Sequence, residues 1–327
     1  MVESREPLRM NDYEKSRCFL TPEFIPVSVS ILPAAWMKYR TELFELTQRH
    51  PVLFEPRDEE PDYDNMAGGT YVAGDHVDAW GCVWSNVHSG REAIVTGHPV
   101  PNREDIRTLK APTIDAGIPH GFMFLRLMDL RGYEELMIDF AEEPPELQQL
   151  IDIVLEYNMR QLNLTIEESG GDRTIWFGDD LGTQKALPIR PETWRKYLKP
   201  CYAKLYERCH EVGIIVHMHT DGCIHEIIPD LIECGVDVLN PQVRANGLEN
   251  LARTCKGKVC VQLDLDRQLF PFATPQEIDE HVRSATDALG APEGGLWLSA
   301  EVDDGVPLEN VEAICCALET HRETFTR

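Results

Sequence analysis

Residues 214–226 read IIVHMHTDGCIHE. Ile214, Ile215 and Val216 are an apolar, β-branched run with the composition of a buried strand. The run passes into His217, His219, Asp221, Cys223 and His225, polar or ligand-capable groups at every second position. A hydrophobic strand that ends this way is a candidate for the edge of a sheet where an α/β protein does its chemistry.

The same grammar repeats on either side. Apolar runs stand at TIWFG (174–178), VDVLN (236–240), VCVQLDL (259–265) and LWLSA (296–300), without clean alternation, as parallel strands covered on both faces would be. Helical segments lie between them. Residues 144–171 open with proline, keep apolar residues three and four apart and close on Gly170 and Gly171. Residues 274–290 open with Thr274, Pro275 and Glu277, a capping box, and end at Gly290. Residues 307–323 also start with proline, and Pro200 inside 191–213 predicts a kink.

Five strand–helix units in series predict right-handed crossovers and an α/β fold. FIPVSVS (24–30), EAIVTGH (92–98) and FMFLRLM (122–128) add three candidate strands. Eight is the number in a (β/α)8 TIM-type barrel. The expected organisation is one domain over residues 1–327, with an N-terminal extension at 1–20. A loop excursion at about 55–90, rich in Gly, Asp and aromatics, is expected to lie over one end of the barrel.

Composition excludes some partners. The chain has 327 residues, 43% of them hydrophobic, enough for a sizeable core. A net charge of −25 repels a phosphate backbone and an anionic membrane face alike, so neither nucleic acid nor membrane is expected as a partner. The opening MVESREPLRMNDYEK lacks an apolar signal segment, and a cytoplasmic location follows as an expectation. The ten cysteines include no CxxC pair and read as reduced, small buried hydrophobes.

The strand ends supply the candidate site. Asp179 and Asp180 follow TIWFG, either as a catalytic pair or as an Asx-type turn. Asn240 and Gln242 follow VDVL, Asp264 ends VCVQL, and Glu301 follows LWLSA. Asp303 and Asp304 beyond it read as a solvated turn. His219 is assigned to the site and His217 to a structural role, on the expectation that the two side chains leave opposite faces of their strand. Asp221 either joins His219 or caps the next helix, in whose first turn Cys223 and His225 read as structural. His219, Asp221 and Glu301 together offer nitrogen and oxygen ligands for Zn²⁺, with a position open for substrate. Trp80 and Trp84 in the excursion are candidates to stack on an aromatic substrate, with packing against the rim as the plainer alternative.

Several segments resemble the uroporphyrinogen decarboxylase-like superfamily. They are residues 177–206 (FGDDLGTQKALPIRPETWRKYLKPCYAKLY), 217–243 (HMHTDGCIHEIIPDLIECGVDVLNPQV) and 306–319 (VPLENVEAICCALE), with DAWGCVW (78–84) and 128–152 as further support. The resemblance runs from about residue 78 to the C-terminus and implies a (β/α)8 barrel. The decarboxylase proper carries an arginine-rich motif after its first strand. Here VSVSILPAAWMKYR stays apolar until Lys38 and Arg40, so the zinc- and corrinoid-linked methyltransferase branch is the nearer relative.

That branch holds zinc with an H-x-C pair and a later cysteine. His219 matches the first ligand, Asp221 stands at the first Cys, and the later Cys falls at or near Glu301. Fewer thiolates imply a more electrophilic metal, suited to polarising an ether oxygen. The implied reaction moves a methyl group from a small O-methylated molecule, aromatic ones included, to Co(I) of a corrinoid (cobalamin) on a partner protein. Asp179 or Asp180 would handle the proton, Asn240 and Gln242 would orient the substrate, Asp264 would contact it, and a homodimer is left open. Two alternatives stand beside this: a cofactor-free decarboxylase or lyase of a small acid, and a non-catalytic binding protein on the same barrel.

Overall fold

Alternation along the strands builds the barrel wall. In the stretch from Ile215 to Thr220, Val216, Met218 and Thr220 are buried beneath the surrounding helices, whereas Ile215, His217 and His219 are only partly covered. A period of two puts these sets on opposite faces of the sheet, one toward the helices and one toward the barrel interior. The expectation of two-sided apolar strands therefore holds for the outer face alone.

The computed structural model describes residues 10–169, 173–323 and 325, without the side chain of Thr70. In chain order the strands are β1 (Val27–Ile31), β2 (Gly74–Val77), β3 (Val83–Asn86), β4 (Ile94–Gly97), β5 (Thr174–Gly178), β6 (Ile215–Thr220), β7 (Val238–Pro241), β8 (Cys260–Asp264) and β9 (Leu296–Val302). The helices are α1 (Asp12–Arg17), α2 (Pro33–Gln48), α3 (Phe124–Arg131), α4 (Tyr133–Glu142), α5 (Pro145–Glu168) and α6 (Pro191–Tyr197). They continue with α7 (Lys199–Glu211), α8 (Ile228–Cys234), α9 (Val243–Asn246), α10 (Leu248–Cys255), α11 (Pro275–Leu289) and α12 (Leu308–His321).

Six strands form one parallel sheet in the order β1-β9-β8-β7-β6-β5, with helices between them. This is the α/β barrel class expected, drawn as a partial barrel. The eight-strand count is corrected at two places. Residues 94–97 of the expected 92–98 strand lie instead in a separate antiparallel sheet, β2-β3-β4, where Ile94 is 68% exposed. Residues 122–128 lead into α3, with Phe124, Leu127 and Leu130 buried three residues apart. A short apolar run carries both readings, and the helical spacing of its buried side chains settles this one. The slot a further strand would fill beside β5 is crossed by an irregular segment, whose Gly121 N–H donates to the Gly178 carbonyl at 2.7 Å.

Local signals hold well elsewhere. Thr274 and Glu277 form the capping box of α11, and Gly290 ends it. The helix through Pro200 breaks at Leu198, which closes α6 and opens α7. The helix that starts at Pro145 runs to Glu168, whereas its expected closure on Gly170 and Gly171 lies outside the described residues.

In the N-terminal extension, α1 seals the amino end of the barrel. Ser16 donates its hydroxyl to the Leu296 carbonyl, and its own carbonyl accepts from Gly295. Eight of the ten cysteines are buried and all ten are free. Among the described residues no helix is long and apolar enough to cross a membrane.

Candidate active site

Parallel pairing aligns the interior-facing side chains of neighbouring strands into a ring. Gly178 pairs with His219, His219 with Asn240, Asp264 with Ser299, and Glu301 with Ser30. These positions sit at the carboxyl ends of the strands, where barrels of this type carry their catalytic groups. His217 and His219, two residues apart, share this interior face, which corrects the expectation that they diverge. His217 lies deeper, edge-on to Trp297, and burial pushes its pKa down to about 4, so it stays neutral.

His219 is the hub. Its Nδ1 donates to Asn240 Oδ1 at 2.7 Å, and Asn240 Nδ2 donates to the Gln262 carbonyl at 2.7 Å, which fixes the amide. The hydrogen on Nδ1 leaves Nε2 facing Asp221 Oδ1 at 3.2 Å. Burial opposes a charge on this ring, but Asp221, Asp264 and Asn240 outweigh it and hold its pKa at about 9. Asp221 is shifted the other way, because His219 and Arg267 more than offset its burial. Its Oδ2 accepts from Arg267 at 2.9 Å, and its buried Oδ1 pairs with His219 Nε2. Burial, with Glu301 and Asp221 adding, raises Asp264 to about 6 against the pull of His219 and Arg267.

Two groups of ligand-capable atoms result, and His219 belongs to both: His219–Asp221–Asp264 and His120–Asp180–His219. Within each, one ligand atom per residue lies within 4.8 Å of the others. Glu301, expected as a ligand, joins neither. It lines the same cavity but is ion-paired with Arg267, which therefore spans Asp221 and Glu301.

The tight turn after β6 places Asp221. Gly222 has φ +84° and packs against the Gly182 carbonyl so closely that a Cβ there would lie 2.1 Å from its oxygen. Gln242 Oε1 accepts from Gly222 N–H at 3.0 Å. Its side chain thus braces the turn instead of entering the cavity, a correction to its assignment as a substrate contact. Cys223 and His225 sit in the loop before α8, 3.3 Å from each other, and lie outside the cluster.

Asp179 and Asp180 part company. Asp179 is fully buried, and its carboxylate accepts backbone N–H groups of Met123, Phe124 and Leu125 at 2.6–3.2 Å, together with the Tyr202 hydroxyl. It anchors the amino end of α3 and does not line the cavity, so its catalytic assignment is corrected to a structural one. Asp180 does line it, 3.4 Å from His120 Nε2. Burial works against a charged His120, but Asp180 prevails and raises its pKa.

The cavity is about 500 Å³. Its roof comes from the excursion, through Tyr71, Gly90, Arg91 and Glu92, and Arg91 grips both oxygens of Asp304 at 2.9 and 3.0 Å. Trp80 and Trp84 do not reach it. Trp80 is buried edge-on to Tyr157, and Trp84 donates to Asp78 at 3.2 Å, so packing is their role.

Three cavity residues escape a reading by strand ends. Trp176 lies nearly parallel to His219, with ring centroids 5.6 Å apart and an interplanar angle of 16°. Being two residues before Gly178, it shares the interior face, and that spacing was its signal. Arg267 follows the acidic end of β8, and a lone cation after a row of carboxylates is the clue to it. His120 comes from the irregular segment beside β5 and had no local signal. Gly178 admits it, because a Cβ there would lie 2.4 Å from its ring.

Residues 124–321 match the profile of the family described as uroporphyrinogen decarboxylase (URO-D). Among solved structures the chain is similar to a methyltransferase from Methanosarcina mazei, with a TM-score of 0.62 and 18% identity over 94% of this chain and 98% of that one. Weaker likenesses include a B12-independent methionine synthase from Shewanella sp. W3-18-1 (TM-score 0.41, 15% identity, 71% and 69% covered). A dihydropteroate synthase from Xanthomonas albilineans is similar over a smaller part (TM-score 0.34, 17% identity, 49% and 58% covered). No curated protein sequence matches the chain.

Proposed function

Because the chain belongs to the uroporphyrinogen decarboxylase (URO-D) family, we propose that its barrel mouth is the active site of a zinc-assisted methyltransferase acting on a small O-methylated molecule. The observation that carries this reading is the meeting of His219, Asp221 and Asp264, whose ligand-capable atoms lie within 4.8 Å of one another. Asp221 Oδ1, which pairs with the imidazolium in this structure, would face the metal in its place. One nitrogen and two oxygens, with room beside them, make the three-ligand set of a catalytic zinc site. Zinc bound there would supply Lewis acidity toward an ether oxygen.

The chain's own residues do the rest. Asn240 holds the Nδ1 hydrogen and so keeps Nε2 aimed inward. In methyl transfer the carbon–oxygen bond breaks with its electron pair on oxygen, the acceptor's nucleophile bonds to carbon, and a proton has to reach the departing oxygen. Asp180 and His120, 3.4 Å apart on the cavity wall, are placed to hold that proton. We assign the acceptor role to Co(I) of a corrinoid on a partner protein. This rests on the family's methyltransferase branch and agrees with a mouth that opens to solvent beside the exposed Asp303. The rival, a metal-free decarboxylase of a small acid, asks an anion to enter a cavity lined by seven carboxylates against two guanidiniums and two imidazoles.

Zinc content, measured on untagged protein, tests the proposal. Wild type is expected to hold about one zinc per chain, lost in His219→Ala and Asp264→Asn and kept in Glu301→Gln. Wild-type protein that stays free of zinc after added Zn²⁺ would sink it.

A further inference from the structure

We propose that the methyl donor is a neutral polyhydroxylated ring, an O-methylated sugar or cyclitol; this rests on reading the cavity as the donor site. Charge removes the first competitor. Seven carboxylates line the cavity against two guanidiniums and two imidazoles, so an anionic donor such as a methoxybenzoate meets net repulsion.

A cationic donor fares little better. Four of the seven carboxylates already have partners: Arg267 spans Asp221 and Glu301, Arg91 holds both oxygens of Asp304, and His120 faces Asp180. An ammonium at any of these would have to displace a cation already in place. A quaternary nitrogen seeks a cage of aromatic faces. Among the described lining residues only Trp176 and Tyr71 offer aromatic rings apart from the two histidines.

A neutral arene is excluded by the opposite wall. Ser28 and Ser30 line the β1 side, with Gln262 nearby; Ser299 lies beside them but already donates to the Leu263 carbonyl and Asp264. An arene would strip water from these hydroxyls and this amide and return no hydrogen bonds, at a cost for each group.

A sugar or cyclitol matches both sides at once. Trp176 is 43% exposed and stands on the cavity wall, with its plane nearly parallel to that of His219, which stacks against it. It forms a flat apolar shelf for the C–H face of a saturated ring. The ring's hydroxyls then meet the serines and Gln262, and its outward hydroxyls meet carboxylate acceptors such as Glu92. The volume of about 500 Å³ is in the range of small-molecule sites. One methyl ether directed at the His219 side would satisfy the chemistry, and the remaining hydroxyls would fix the ring's orientation.

Calorimetric titration of the full chain, zinc-loaded and chelator-treated, tests this with four probes. They are a panel of methyl hexopyranosides and O-methyl inositols, 4-methoxybenzoate, methoxybenzene and tetramethylammonium. At least one polyol ether is expected to bind saturably and more tightly than the other three probes. Its affinity is expected to fall at least about tenfold in Trp176→Ala, to be largely restored in Trp176→Phe, and to drop in Ser30→Val. Polyol binding by wild-type protein that takes up no added zinc would leave this inference standing while the metal reading fails. Zinc-loaded protein that prefers the benzoate, the arene or the ammonium, or that binds no polyol ether, overturns the inference and leaves the metal reading intact. Trp176→Ala and Ser30→Val proteins that both bind like wild type would overturn it as well.

Discussion

His219 Nε2 stands 3.2 Å from Asp221 Oδ1 in an ion pair, while the other ring nitrogen donates to Asn240 at 2.7 Å. The imidazole is thus held from both sides, by an amide behind it and a carboxylate in front. Much of what the site does depends on how firmly this arrangement is held.

Asn240 is the positioning residue in that arrangement. Asn240→Leu is expected to weaken zinc binding about 10- to 100-fold, read by competition with a chromogenic chelator. Asn240→Asp keeps an acceptor for Nδ1–H and should restore affinity. Equal losses in both variants would point to packing and not to ring orientation.

The turn that carries Asp221 tolerates no side chain at Gly222. With φ +84° and the Gly182 oxygen 2.1 Å from where a Cβ would lie, Gly222→Ala must open the turn. A loss of more than about 3 kcal/mol in unfolding free energy is expected, from strain plus steric overlap. Surviving folded protein should also bind zinc poorly. A change under about 1 kcal/mol by urea denaturation would show that the two loops separate easily.

Asp179 is expected to matter for stability rather than turnover. Removing its carboxylate strands three backbone N–H groups and the Tyr202 hydroxyl in the interior. Asp179→Ala should cost about 3–5 kcal/mol, and Asp179→Asn less. Zinc content of the folded fraction should match wild type. A stable Asp179→Ala protein with altered pH dependence of activity would return Asp179 to the chemistry.

Asp129 provides a pH signature away from the site. Burial raises its carboxyl from 3.8 to about 6, against the pull of Arg126. An acid whose pKa is higher in the folded state keeps its proton there when the unfolded chain has lost it. Its effect therefore reduces stability as pH rises from about 4 to about 6, and the deficit persists above. Asp129→Asn removes that effect. The variant should exceed wild type by up to about 2 kcal/mol at pH 8, and the two should converge below pH 4, read from urea midpoints. Arg126 keeps Asp78 at 2.8 Å as a partner in the variant. A difference independent of pH would mean that the charge on Asp129 is fully compensated.

Wherever the deciding interaction is short in sequence, the residues alone were enough. The strand at 174–178 and those around 215, 238, 260 and 296 follow from β-branched and apolar runs between turn residues. The ends of α11 follow from Thr274, Glu277 and Gly290, and the break before Pro200 from a missing N–H. That His219 and Asp221 stand at a strand end, and so at a barrel mouth, was equally legible. The segment at 122–128 was not, because a seven-residue apolar run suits a strand or a helix until its buried neighbours are known.

Which side chains meet was decided only by tertiary structure. The pairing of β8 with β9 sets Asp264 opposite Ser299 and within reach of His219, whereas Arg267, three residues further on, captures Glu301. Asp179 and Asp180 are adjacent in sequence, yet successive strand-end residues point apart. One is taken by the N–H groups of α3, and the other is left in the cavity with His120. A carboxylate's role is set by the donors that reach it first, and here those donors come from segments tens of residues away.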